Sequence, residues 1–305
     1  MGLLVICIKL FNETVLKDTI KMKKTLIIAV LIGLILFLSC LNKNRHNNNH
    51  NYALFIGTNP NNFEDDSSAA ASGKNIKGGL MLYINKNPIH YYTGYGEVIS
   101  INEWIKPKNN SYSIKGFSSE NIYLKIAKIN HNNKKISVID KKYIGSGDIE
   151  ETGFFSSDIN YLLPFFMATI NDNEKTKNDI KEILFNLKMI LETKKSRELY
   201  DLLLAGPDLW QPMAYNNNWF ELKNNYIKRI HTQYYLQGKQ KIEFDINNLK
   251  MILGENVVYV YSGSYKNEIF KSHYLFKVKG EKEVIYTPVI KFVRYKNKWI
   301  VWEGT

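Results

Sequence analysis

The chain has 305 residues, a formal net charge of +12 and only two cysteines, Cys7 and Cys40. Its lysines are dispersed instead of gathered in a stripe, so the charge outlines no nucleic-acid surface and no nucleic-acid partner is expected. The richness in Lys, Asn, Ile and Tyr reads first as codon bias, and no P-loop, HExxH, GxSxG or EF-hand pattern supplies a specific reaction or cofactor.

An apolar block from Leu26 to Leu38 follows Lys21, Lys23 and Lys24. As a helix it rises about 20 Å, well short of a hydrocarbon core of about 30 Å. No polar residue interrupts it, as the outer face of a core helix would require. A basic start, a short apolar stretch and a small residue at its end are the layout of a secretory signal. Phe37-Leu38-Ser39-Cys40 resembles the lipobox of bacterial lipoproteins, with Phe37 where that family favours Leu. The resemblance implies that Cys40 is acylated and becomes the mature N-terminus. It also implies Met22 as the natural start, residues 1–40 as signal peptide and lipobox, and membrane lipid as a partner. The protein would then sit on the exported side of the cell membrane or outer membrane. Residues 1–40 hold five lysines against Glu13 and Asp18, so +9 of the charge falls in the remainder. With Cys7 and Cys40 accounted for, the folded part has no thiol for a disulfide, a metal or a nucleophile.

Residues 41–51 are polar and nearly free of apolar side chains, which predicts a disordered tether. His46 and His50 are spaced for a metal only on a helix, so no metal is expected there. Beyond the tether about 250 residues remain, enough for two ordinary domains.

Residues 52–150 read as successive strands of a small β-sandwich. "GGLMLYINKNPIHYY" gives two runs around the turn cluster Asn85-Lys86-Asn87-Pro88, and "GEVISINEW", "SYSIKG", "NIYLKIAKIN" and "KISVIDKKYI" follow. Ile101 to Ile114 resemble a strand, aromatic-Pro corner and Asn-rich turn found in β-sandwich and jelly-roll modules of cell-surface proteins, many of which bind glycans or proteins. Under that resemblance Trp104 is a candidate sugar-stacking platform; a tryptophan at a strand corner also reads as core. Glu64, Asp65 and Asp66 lie in a flexible-looking loop with weak calcium character. Residues 151–171, with the overlapping Gly145–Ser157 stretch, read as linker followed by an apolar segment, "INYLLPFFMATI", that packs between the domains.

From residue 172 the period changes. Ile180, Ile183, Leu184, Leu187, Ile190 and Leu191 step by three and four, a helix with one apolar stripe. A shorter helix ends at Gly206-Pro207, and a third is expected near Trp219–Leu236. Alternating strands then run to a Lys296-Asn297 turn and "KWIVWEGT". Three helices followed by a curved antiparallel sheet ending in "VIKFVRYKNKWIVWEG" resemble an NTF2-like cone of the SnoaL/ketosteroid-isomerase superfamily over residues 172–305. The expected fold class is therefore α+β, a small β-sandwich followed by that cone. The resemblance implies an apolar pocket and, for catalytic members, an Asp or His–Asp pair within it. The candidates are His231, Tyr234 and Tyr235; His273 and Asp245 share phase with lysines and face solvent. The leading expectation is a lipid-anchored, non-catalytic envelope protein that binds another envelope protein or a small apolar or glycan ligand. The alternatives are an isomerase, dehydratase or hydrolase using the cone, and a homodimerisation module.

Overall fold

Tyr52, Leu54 and Ile56 face one side of a strand and Ala53 and Phe55 the other, the period-two pattern of a pleated chain. The structure, a computed structural model, describes residues 50–67, 71–130, 133–193, 198, 199, 202, 224, 241–244, 249–262, 276–279, 284–287 and 289–302. All of them fall within one unit, Asn48–Thr305. The first half gives β1 (His50–Gly57), one helical turn α1 (Pro60–Glu64), β2 (Gly78–Ile84), β3 (Asn87–Tyr92), β4 (Glu97–Ser100), β5 (Lys108–Ser118), β6 (Ile122–Asn130), β7 (Ile136–Ile144) and β8 (Gly147–Ser157).

These strands form two antiparallel sheets, ordered β4-β1-β6-β7 and β3-β2-β5-β8. Their inner faces meet in one core, with Leu54, Ile56, Leu124 and Ile126 from the first sheet and Leu80, Leu82, Ile84 and Ile114 from the second. Burying such side chains contributes roughly 25 cal/mol per Å² of apolar surface. Asn85 and Lys86 join β2 to β3 with φ of 50° and 63°. Two left-handed residues match the twist of the flanking strands, and asparagine tolerates that conformation.

The second half gives a 3-10 turn (Pro164–Met167), α2 (Asn173–Glu192), β9 (Lys241–Phe244), β10 (Leu249–Leu253), β11 (Val257–Ser262), β12 (Phe276–Lys279), β13 (Val284–Thr287), β14 (Val289–Tyr295) and β15 (Lys298–Trp302). Asp172 caps α2, its Oδ1 accepting from the Lys175 N–H at 2.9 Å. The helix buries Ile180, Leu184, Leu187, Ile190 and Leu191 against Val258, Val260, Ile290, Phe292 and Val301. These last five lie on one face of a four-stranded sheet ordered β10-β11-β14-β15. The opposite face carries Val257, Val293, Ile300 and Trp302, which belong to the same core as the sandwich. β9, β12 and β13 form a separate three-stranded sheet.

This arrangement corrects the NTF2-like expectation. Among the described residues α2 is the one helix longer than two turns, and the strands divide into three four-stranded sheets and one three-stranded sheet. A cone leaves the concave face of its sheet open around a pocket, whereas here β11, β14 and β15 are covered on both faces. The α+β fold class fails with the cone, since antiparallel sheet dominates the described residues.

The linker expectation also fails. Gly147–Ser157 is an eleven-residue strand paired with β5 from Lys108↔Ser157 to Ser118↔Gly147. The boundary between domains at 151–171 therefore does not separate two independent bodies. The apolar segment that follows buries Leu163, Phe165 and Phe166 between the sandwich and the C-terminal sheet. Residues 50 and 51, read as the end of the tether, belong to β1, and residues 41–49 lie outside the described residues. The signal segment, the expected helix near 219–236 apart from residue 224, and Asp245 and His273 lie outside the described residues.

Candidate functional site

β1 carries the chain into the sandwich at His50, opposite Asn130 of β6, and ends at Gly57, opposite Tyr123. Seven residues of strand separate those ends by about 23 Å. Beyond Gly57 the chain folds back over the outer face of the sheet. A side chain at Gly57 would collide with the Ser72 carbonyl, so glycine permits this close return. Thr58 Oγ1 accepts from the Lys74 N–H at 2.8 Å, and the side-chain amides of Asn59 and Asn62 each donate to Ser72 Oγ at 2.8 Å.

A cleft remains there, lined by Phe55, Asn59, Asn62, Phe63, Tyr123 and Lys125, with an inner volume of about 20 Å³. That is room for one water. Lys125 is buried in β6 and donates to the carbonyls of Asn62 at 3.2 Å and Asp65 at 3.0 Å, with its Nζ 4.9 Å from the centroid of Phe55. Burial pushes its amine pKa down, and the charges of Asp66 and Asp65 oppose that shift. The lysine thus pins the α1 loop to the sheet.

A row of aromatic rings leads outward from the cleft. Phe63 and Tyr123 lie 5.3 Å apart by ring centroid, and so do Tyr123 and Tyr143. Tyr123 and Tyr143 are register partners on the outer face of β6 and β7, and Tyr143 is 55% exposed. Lys141 stands 5.6 Å from the Phe63 centroid and pairs with Asp66 at 2.6 Å. Tyrosine offers an apolar face and a polar tip at once, which suits a partly wet contact.

A second polar site lies at the seam between sandwich and C-terminal sheet. The turn after β4 places Glu103 next to Trp104 in the chain, and β15 brings the Trp302 ring to within 6.1 Å of Trp104 by centroid. Lys291 of β14, cross-strand neighbour of Trp302, lies 5.0 Å from the Trp104 ring centroid. Glu103 and Lys291 keep some solvent contact, yet enough protein surrounds them to strip away most hydration. Burial pushes the Glu103 carboxyl up to about 7, with the charge of Lys291 opposing. Burial likewise lowers the Lys291 amine, with Glu103 opposing.

The sequence candidates fare differently. Trp104 is 1% exposed, with its ring centroid 5.9 Å from that of Phe165 and 6.1 Å from that of Trp302. It is a core residue, not a surface platform, which corrects the sugar-stacking reading. Asp65 accepts from the Ser67 N–H and hydroxyl, and Asp66 pairs with Lys141, so neither is turned toward a shared cation. Among the described residues no group of three or more His, Cys, Asp or Glu is placed to hold a metal. Cys40, His231, Tyr234 and Tyr235 lie outside the described residues.

Sequence reasoning passed over Lys125, Tyr123, Tyr143, Glu103 and Lys291. A signal existed for two of them. Glu103 sits within "INEWI" and Lys291 within "VIKFV", single charges in mainly apolar runs. Among the described residues no helix is long and apolar enough to cross a membrane. Compared with protein-family models, curated proteins and solved structures, the chain matches none of them.

Proposed function

We propose that the chain is a lipid-anchored protein of the bacterial cell envelope that binds a saccharide at the Gly57 end of its sandwich. The observation that supports the binding half is the row of Phe63, Tyr123 and Tyr143 rings beside the cleft, at the Gly57 end of β1. Sugar rings are apolar on their faces and polar at their rims. Tyr123 and Tyr143 supply faces for stacking, and the amides of Asn59 and Asn62 supply hydrogen-bonding groups beside them.

Two acyl chains make such anchoring durable, at about 0.8 kcal/mol per buried methylene. The binding half of the reading is tested with the full chain in detergent micelles, by co-sedimentation with purified cell-wall polysaccharide. Tyr143→Ala should lower retention about tenfold or more, equivalent to a loss above about 1.4 kcal/mol, without changing the melting temperature. Retention equal to that of the unaltered protein would remove the saccharide site.

A further inference from the structure

We infer that the His50 end of the sandwich is a docking face for anionic lipid headgroups, through Lys108, Lys134 and Lys135. The inference rests on where the strands end. His50 stands opposite Asn130, and the Asn130 N–H donates to the Lys135 carbonyl at 2.9 Å. The tip of the β6–β7 hairpin, with Lys134 and Lys135, therefore lies beside the start of β1. β8 ends at the same place, since Asp158 just beyond it accepts from Tyr52 and Lys128. Lys108 opens β5 opposite Ser157, the last residue of β8. Dispersed in the sequence, the three lysines are brought to one end by antiparallel pairing. All three are exposed, and among the described residues no acid pairs with any of them.

The acids at this end do not cancel them. Asp158 is taken by Lys128 and Tyr52, and protein surrounds Glu103 at the seam. Glu255 belongs to the β10–β11 turn, which packs on the hairpin carrying Lys86, so Lys86 is left out of the face. The other end of the sandwich has the opposite sign. Glu64, Asp65, Asp66, Glu120 and Asp148 are exposed there, against Lys74 and Lys77. An anionic surface attracts one end and repels the other. The choice of lipid follows from the anchored reading, on which this inference rests. Cys40 lies ten residues before His50, a reach of at most about 36 Å, so an anchored body stays close to headgroups. Each lysine near such a surface strengthens attachment about fivefold, an effect that decays within a Debye length of about 8 Å.

The full chain is reconstituted into vesicles of phosphatidylcholine, alone or mixed with phosphatidylglycerol, and hydrogen exchange is read in residues 133–137. In the mixed vesicles those amides should exchange at least about tenfold more slowly than in the neutral ones. Residues 119–121, at the acidic end, should exchange alike in both. Salt at about 1 M, where the Debye length is about 3 Å, should remove the difference. Lys134→Gln combined with Lys135→Gln should remove it too, and leave the melting temperature unchanged because both side chains are exposed. Equal exchange in the two kinds of vesicle, a difference that survives salt or the double variant, or equal slowing at residues 119–121 each overturns the inference. So does heparin that slows residues 133–137 in neutral vesicles as much as anionic lipid does, which would assign the lysines to an acidic polymer. A chain that floats with vesicles of neither kind sinks the anchored reading as well, whereas flotation with an unprotected tip sinks this inference alone.

Discussion

Asn87 and Asn256, 169 positions apart in the chain, hold each other across the seam. The Asn256 backbone N–H donates to Asn87 Oδ1 at 2.7 Å, and the Asn87 side-chain amide donates to Asn256 Oδ1 at 3.3 Å. Both side chains are buried, and the Asn256 amide reaches on to the carbonyls of Phe166 and Ala168, each at 3.3 Å. One residue thus ties the β2–β3 hairpin, the 3-10 turn and the β10–β11 turn together. Asn256→Ala leaves buried partners unsatisfied and should cost about 2–3 kcal/mol. Equilibrium urea denaturation checks it, with a single shifted transition expected because sandwich and C-terminal sheet unfold together.

The neighbouring glycine makes the same seam sensitive to volume. A side-chain carbon on Gly254 would stand 2.8 Å from Asn87 Cα and meet the Pro88 ring. Gly254→Ala should therefore push the two layers apart and destabilise by about 1–3 kcal/mol. The expected signature is faster hydrogen exchange in both β3 and β11, since their shared contact is lost.

Trp302 anchors the apolar part of the seam, with its ring centroid 5.3 Å from that of Phe165. Trp302→Ala should cost about 3–5 kcal/mol as transfer and cavity terms add. Thermal melting reads that loss. The smaller Trp302→Phe should retain most of the packing and cost less than Trp302→Ala.

Acid weakens a different contact. Tyr52 donates from its hydroxyl to Asp158 Oδ1, Lys128 donates to Oδ2, and the Asp158 N–H returns a bond to the Tyr52 hydroxyl at 2.9 Å. Burial alone would raise the Asp158 carboxyl, but the bonds from Lys128 and Tyr52 outweigh it and hold it below its ordinary 3.8. Its stabilising contribution is therefore full above pH 3.8 and lost as pH falls through the lowered value. Because the Asp158 side chain is 60% exposed, the contribution is under about 1 kcal/mol. Asp158→Asn should flatten the acid limb of the stability curve by that amount and lower the melting temperature at pH 8 by at most about 2–4 °C.

Turns and single elements were legible in the sequence because their causes are local. Asn85-Lys86 and Lys296-Asn297 take left-handed φ values, with 47° and 62° at the second pair, and asparagine marks such positions. The stripe from Ile180 to Leu191 needs only the helical period. What failed depends on distant partners. Gly147–Ser157 reads as a linker because Asp148, Glu150, Thr152 and Ser156 face solvent from an edge strand, leaving only Ile149, Phe155 and Ser157 to mark the buried side. The cone failed because the order of helices and strands does not say how many faces of a sheet are covered. "VVYVY" in β11, buried almost throughout, was the local sign of two covered faces. Glu103 and Lys291 become a site only when residues far apart in the chain meet.

Acylation at Cys40 is the step on which membrane attachment rests. Mass spectrometry of the protein recovered from bacterial membranes should find the N-terminal peptide beginning at Cys40 and carrying acyl chains, with Cys40→Ala abolishing labelling by radioactive palmitate. An unmodified peptide that reads continuously through Ser39 and Cys40 would contradict the anchored protein.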